Sequence, residues 1–130
     1  MHHFEEENIR MMETIEEKEH CIDNILVVTD FIKCLNRFKN KEGYGEEGNL
    51  ILFYQDFDDD DEWKQYRCKE DEVALIMFYP AADEDTFGYM HFKQFYSYVY
   101  HYGQKYIQEH PEKKEEVTRL LNEIKESWGI

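Results

Sequence analysis

The spacing of apolar residues changes period twice along this chain, and that change constrains its fold more than anything else. From Ile22, side chains suited to a core recur every three to four residues through Ile25, Val28 or Thr29, Ile32 and Leu35, with Phe31, Cys34 and Phe38 widening the stripe. Positions at that interval line one face of a helix, so the pattern predicts a single core helix ending near Asn40. Asp23 and Asn24 are suited to cap its start, and Lys39 and Lys41 fall near its end, where the helix dipole favours cations. Gly43, Gly45 and Gly48 then supply the freedom for a tight turn; with no strand before them and no helix after, they are no phosphate-binding fingerprint. The middle of the chain has the other period. Leu50 to Tyr54, the weakly alternating Trp63 to Cys68, Val73 to Tyr79 and Phe87 to Met90 are short runs separated by turns, the pattern of an antiparallel meander. Helical spacing returns in Phe92, Phe95, Tyr96, Val99, Tyr102, Tyr106 and Ile107. His110-Pro111 breaks it, with Pro111 at the first position of a last helix whose apolar face is Val117, Leu120, Leu121, Ile124 and Trp128. Glu115 and Arg119 are placed to pair across one turn of that helix. The expected class is α+β: a small antiparallel sheet in the middle of the chain, packed against an N-terminal helix and two C-terminal helices.

A chain of 130 residues is the length of one domain, and 42% hydrophobic content suffices for one core, so residues 1–130 are read as a single unit. Met1 to His20, polar and acidic with scattered Phe4, Ile9, Met12 and Ile15, is expected to be a frayed or weakly amphipathic lead-in. No apolar run approaches the roughly 18 to 20 residues that span a bilayer. Glu5, Glu6 and Glu7 stand where an export signal would carry positive charge, which points to a cytoplasmic protein away from membranes. Cys21, Cys34 and Cys68 are odd in number and form no CxxC pair, as suits reduced thiols, and zinc is not suggested.

Charge narrows the partners. Between Glu46 and Asp85 fourteen acids face three bases (Lys64, Arg67 and Lys69), so eleven of the fifteen net negative charges lie there, whereas His91 to Ser127 holds six acids and six bases. Such a field repels nucleic acid and anionic lipid and steers a basic protein inward, although acidity can also serve solubility alone. The run Asp58, Asp59, Asp60, Asp61 and Glu62 lacks the spaced alternation and central glycine of a calcium loop. It reads either as a solvated turn or as a docking patch for a partner's lysines and arginines, with Trp63 as an aromatic anchor beside it. Glu70, Asp71 and Glu72, and Asp83, Glu84 and Asp85, extend the candidate binding set. His20, His91, His101 and His110 form no recognisable spacing with a nucleophile; His91 and His110 are explained by helix ends. No catalytic, metal or cofactor residue is expected. Of the five tyrosines between Tyr96 and Tyr106, Tyr96, Tyr102 and Tyr106 fall on the buried stripe, while Tyr98 and Tyr100 are candidates for exposed contacts.

Several segments together resemble the immunity proteins of contact-dependent growth inhibition (CDI) systems, of the kind paired with ribonuclease toxins. These are the first helix running into Phe38, the Gly43-Tyr44-Gly45-Glu46-Glu47-Gly48 turn and the Val73 to Phe78 strand. With them go the stretch from Tyr89 to Tyr98, and the Tyr106 to Glu112 junction leading to Ile124 and Trp128-Gly129-Ile130. The resemblance spans about residues 22 to 130 and implies an antitoxin-like role. The protein would bind a cognate basic ribonuclease toxin domain and block RNA cleavage, contributing no catalytic residue of its own. The acidic lead-in and the four-aspartate run depart from the family pattern, which leaves the toxin's identity open. Two other readings fit the charge. One is an acidic adaptor or inhibitor of another basic nucleic-acid-binding protein; the other is a small enzyme, which would show convergent perturbed titratable groups in a cleft.

Overall fold

The computed structural model describes residues 9–27, 30–46, 48–60, 63–78 and 84–130. Their elements are β1 (Arg10–Met11), α1 (Ile15–Leu26), α2 (Phe31–Lys39), β2 (Tyr44–Glu46), β3 (Asn49–Phe53), β4 (Glu72–Met77), β5 (Thr86–His91), α3 (Phe92–Glu109) and α4 (Lys114–Trp128). The class is α+β, as the change of period predicts.

The apolar stripe from Ile22 to Phe38 is carried by two helices instead of one. Asp30 accepts the Lys33 backbone N–H at 3.2 Å and so caps a new helix, immediately after the β-branched Val27, Val28 and Thr29, which weaken helix continuation. The first helix starts seven residues before Ile22. Its cap is Thr14, whose hydroxyl accepts from the Glu17 N–H, and Asp23 and Asn24 lie inside it. Part of the segment expected to fray is regular: α1 covers Ile15 to His20, and β1 precedes it, while residues 1–8 lie outside the described residues. At the end of α2, Lys41 takes up the left-handed conformation (φ 56°) typical just past a helix terminus.

The sheet order is β1-β5-β4-β3-β2. Strands β3, β4 and β5 correspond to three of the four expected strands and pair antiparallel, with Ile51 opposite Leu75 and Leu75 opposite Gly88, and β2, in the stretch read as a glycine turn, extends the meander. At the far edge β1 pairs in parallel with β5, Arg10 against Thr86, so the sheet is mixed. Gly45 lies in β2 opposite Leu50, and the turn falls on Gly48, whose φ of 86° only glycine adopts readily. No strand forms between Trp63 and Cys68; that stretch holds one short 3-10 turn, Lys64–Tyr66.

Alternation gives the sheet two different faces. Ile51, Phe53, Val73, Leu75, Met77 and Met90 point to one side and join the helices in the main core. There Phe53 lies within 6.0 Å, ring centre to ring centre, of Phe38, Phe92 and Trp128, and the Trp128 indole N–H donates to the Phe38 carbonyl at 2.9 Å. Met12 covers Gly88, where any Cβ would meet its sulfur at 3.0 Å. Val117, Leu120, Leu121, Ile124 and Trp128 are all buried, as their spacing predicts. Arg119, however, pairs forward with Glu123 at 2.9 Å, not back with Glu115. Tyr96 donates to the Leu121 carbonyl and joins α3 to α4. Tyr98 donates to Glu19 at 2.8 Å and Tyr102 donates to Asp23, joining α3 to α1. Tyr98 is thus half-buried in a helix contact, while Tyr100 is 49% exposed.

Candidate protein-binding surface

The second face of the sheet, with Leu52, Ala74, Phe87 and Tyr89, is covered by the chain between β3 and β4. This excursion leaves Phe53 through a short 3-10 turn, Tyr54–Asp56. It lays Phe57, Tyr66 and Cys68 on the strands and returns at Lys69. Tyr66 meets Phe87 edge-on at 4.8 Å, and the Tyr89 hydroxyl donates to the Tyr66 carbonyl at 2.9 Å. Loss of solvent pushes the Tyr89 hydroxyl and the Cys68 thiol up to about 12. The start of the excursion is pinned by Asp56, whose carboxylate accepts the Phe53 N–H at 2.7 Å. Desolvation raises the Asp56 pKa, and hydrogen bonds from Phe53 and Gly43 partly oppose it.

On this frame Asp58, Asp59 and Asp60 are exposed, with Asp58 accepting the Asp60 N–H at 3.1 Å. The excursion leaves β3 at the end of the sheet where β4 begins, since Phe53 is opposite Val73. Glu70 and Asp71 are exposed at that same end, in the turn before β4, and Asp71 lies 3.1 Å from His91. His91 also caps α3, accepting the Lys93 N–H, which is the helix-entrance role its position suggested. Glu72 is half-buried, and its carboxylate accepts the Lys69 N–H at 3.1 Å.

Glu84 and Asp85 do not belong with these residues. They precede β5, whose Thr86 pairs with Met77 at the other end of β4, about 17 Å away at the rise of an antiparallel strand. Glu84 is exposed and pairs with Arg10 at 2.5 Å. Asp85 is only 9% exposed and its carbonyl accepts the Arg10 N–H, so burial beside β1 withdraws it from the docking set. Trp63 is half-buried, with its ring 5.5 Å from Phe78 and its indole nitrogen out of solvent; it holds the excursion to the sheet. Asp61, Glu62 and Asp83 lie outside the described residues.

The more exposed aromatic residue beside the aspartates is Tyr54, 37% exposed, with one face of its ring against the Arg67 guanidinium. Sequence reasoning assigned it to the end of a strand. Alternation alone carried no sign that the chain turns there and leaves the ring outside. The rest of the surface adds little chemistry. A groove of about 520 Å³ between α2, the end of α3 and the start of α4 is lined by Asp30, Lys33, Asn36, Tyr106, Lys113 and Glu116, among others, with no histidine, cysteine or serine among the described residues that line it. All three cysteines are buried free thiols, Cys21 pushed up to about 12 by burial. Among the described residues no group of histidine, cysteine and carboxylate side chains is arranged to hold a metal, and no helix is long and apolar enough to cross a membrane.

A family model of CDI immunity proteins matches residues 18–121, from within α1 to within α4. The chain belongs to this family. No curated protein and no solved structure matches it. The matched span contains β2 to β5 and the whole excursion, so the candidate surface lies on the part of the chain that defines a CDI immunity protein. Its role is accordingly that of an immunity protein, a generally non-enzymatic class whose partner is a cognate toxin protein.

Proposed function

We propose that this CDI immunity protein neutralises a ribonuclease toxin domain in the cytoplasm by binding it, without catalysis, through the carboxylates at the β3–β4 end of its sheet. The observation that supports this reading is the exposure of Asp58, Asp59 and Asp60 on the excursion that leaves β3 at Tyr54, and of Glu70 and Asp71 in the turn before β4, with the excursion anchored by its own apolar cluster. A ribonuclease must present cationic groups to bind RNA phosphates. Carboxylates that occupy those groups both attract the toxin at long range and compete with its substrate. An aromatic ring within such a charged rim is the residue type that most often carries binding energy. Glu84, at the opposite end of β4, stays a peripheral contributor.

The test uses the cognate toxin domain. Mixed with an equimolar amount of the protein, that domain should lose its RNA cleavage. Replacing Asp58, Asp59 and Asp60 together by Asn should slow association roughly tenfold or more at low ionic strength and flatten its salt dependence, since charges at an interface rim act mainly on the encounter rate. Unchanged association kinetics would move the interface away from this end of the sheet. A toxin that cleaves DNA or permeabilises membranes, but leaves RNA intact, would remove the ribonuclease assignment while leaving the immunity role.

A further inference from the structure

The acidic excursion already holds a cation of its own. The Arg67 guanidinium carbon lies 3.5 Å from the centre of the Tyr54 ring. Its Nε donates to the Tyr54 carbonyl at 3.0 Å, and its Nη1 donates to Asp59 at 3.4 Å. A π face, a carbonyl and a carboxylate thus converge on one planar cation, a set that suits a guanidinium better than an ammonium because stacking and directed N–H donation are used together. The cradle opens to solvent: the Asp59 side chain is 95% exposed, and Arg67 itself keeps 26% of its side chain exposed. An ion pair whose carboxylate is exposed to water is individually weak, so a second guanidinium can compete for the same partners. The excursion also has apolar anchors that do not involve the guanidinium, namely Phe57, Tyr66, Cys68 and Trp63.

We propose that the Tyr54 ring, the Tyr54 carbonyl and Asp59 form a guanidinium subsite that Arg67 fills in the free protein and that an arginine of the basic partner takes over on binding. Arg67 is then a specificity-determining residue acting by competition: it screens weakly basic proteins and yields to one that offers an arginine at this position. The inference rests on the reading that the partner is basic.

A hexa-arginine peptide probes the subsite without the toxin, with the Tyr54 ring resonances followed by NMR in the full chain. Arg67→Met keeps an apolar stem and removes the competitor, so it should bind the peptide about three- to tenfold more tightly than the parent, the range expected for one exposed ion pair and one cation–π contact. The Tyr54 ring should shift on titration, and Tyr54→Leu introduced beside Arg67→Met should abolish the gain. Lys69→Met removes the same charge from the same segment and should give a clearly smaller gain. Arg67→Lys, which retains the charge but not the planar stack, should also tighten binding and serves if the Met variant folds poorly. Equal tightening by Lys69→Met, or a Tyr54 ring that does not move, overturns the subsite and leaves the basic-partner reading intact. A peptide that binds none of the proteins overturns both.

Discussion

The two faces of the sheet are closed by different means. The helical face is sealed by regular elements whose largest side chains, among them Phe38, Phe53, Phe95 and Leu120, are essentially inaccessible to solvent. The other face is sealed by an irregular excursion contributing a few rings and a thiol, with Leu52, Phe87 and Tyr89 left partly open. A protein that must present a shaped, charged surface and remain folded gains from this division. Stability resides where side chains interdigitate, and the contact surface sits on a segment that can vary without disturbing the core.

Mutations on the two faces should differ most in stability. Phe53→Ala, in the middle of the aromatic cluster with Phe38, Phe92 and Trp128, should cost about 3 to 5 kcal/mol in urea unfolding. Trp63→Ala on the other face should cost about 2 kcal/mol, because its ring is only half-buried. It should also increase amide exchange between Asp58 and Cys68 while leaving α3 and α4 protected. Equal costs, or loss of protection throughout, would show that the two faces form one cooperative unit.

Two carboxylates sharpen the comparison through pH. Glu17 lies on the helical side, and its hydrogen bond from Arg10, with a further one from the Glu13 backbone, lowers its pKa. A depressed folded value means that its contribution is present above the unfolded carboxylate range and is lost as pH falls through the folded one. Asp56, at the root of the excursion, is raised by desolvation, so its contribution is present at low pH and lost as pH rises through its folded value. Arg10→Met should therefore make the acid limb of the stability profile shallower, by less than about 1 kcal/mol because the pair is partly exposed. Asp56→Asn should instead remove a loss of stability that sets in as Asp56 ionises. Urea midpoints measured across the acid range distinguish the two signs.

The smallest effect on stability is expected from the surface itself. Asp58, Asp59 and Asp60 replaced together by Asn should leave the unfolding free energy within about 0.5 kcal/mol, since all three are exposed and the Asn amide oxygens can still accept from the Asp60 N–H and from Arg67. A larger loss would give the run a structural role in the excursion and weaken its place in the binding surface.

The sequence by itself determined the elements whose residues repeat. The spacing of Phe92 to Ile107 and of Val117 to Trp128 led directly to α3 and α4, and the β-branched and aromatic runs led to β3, β4 and β5, because period is a local property that survives into the fold. The concentration of acid between Glu46 and Asp85 was equally legible, being a matter of counting. Tertiary structure decided the rest. It recruited the two-residue β1, too short to show a period, by pairing it with β5. It divided the first helical stripe at Asp30, since two short helices can each present the same apolar spacing to one core. It also sorted residues of like type into unlike roles: Glu84 faces solvent and its neighbour Asp85 is buried, Trp63 is packed on the excursion's apolar cluster and Tyr54 is more exposed, and the acids flanking β4 fall at opposite ends of the sheet. Net charge adds along a chain without regard to direction, whereas a binding surface depends on where each side chain points. That is fixed only when strands pair and an excursion without period settles on the face they leave uncovered.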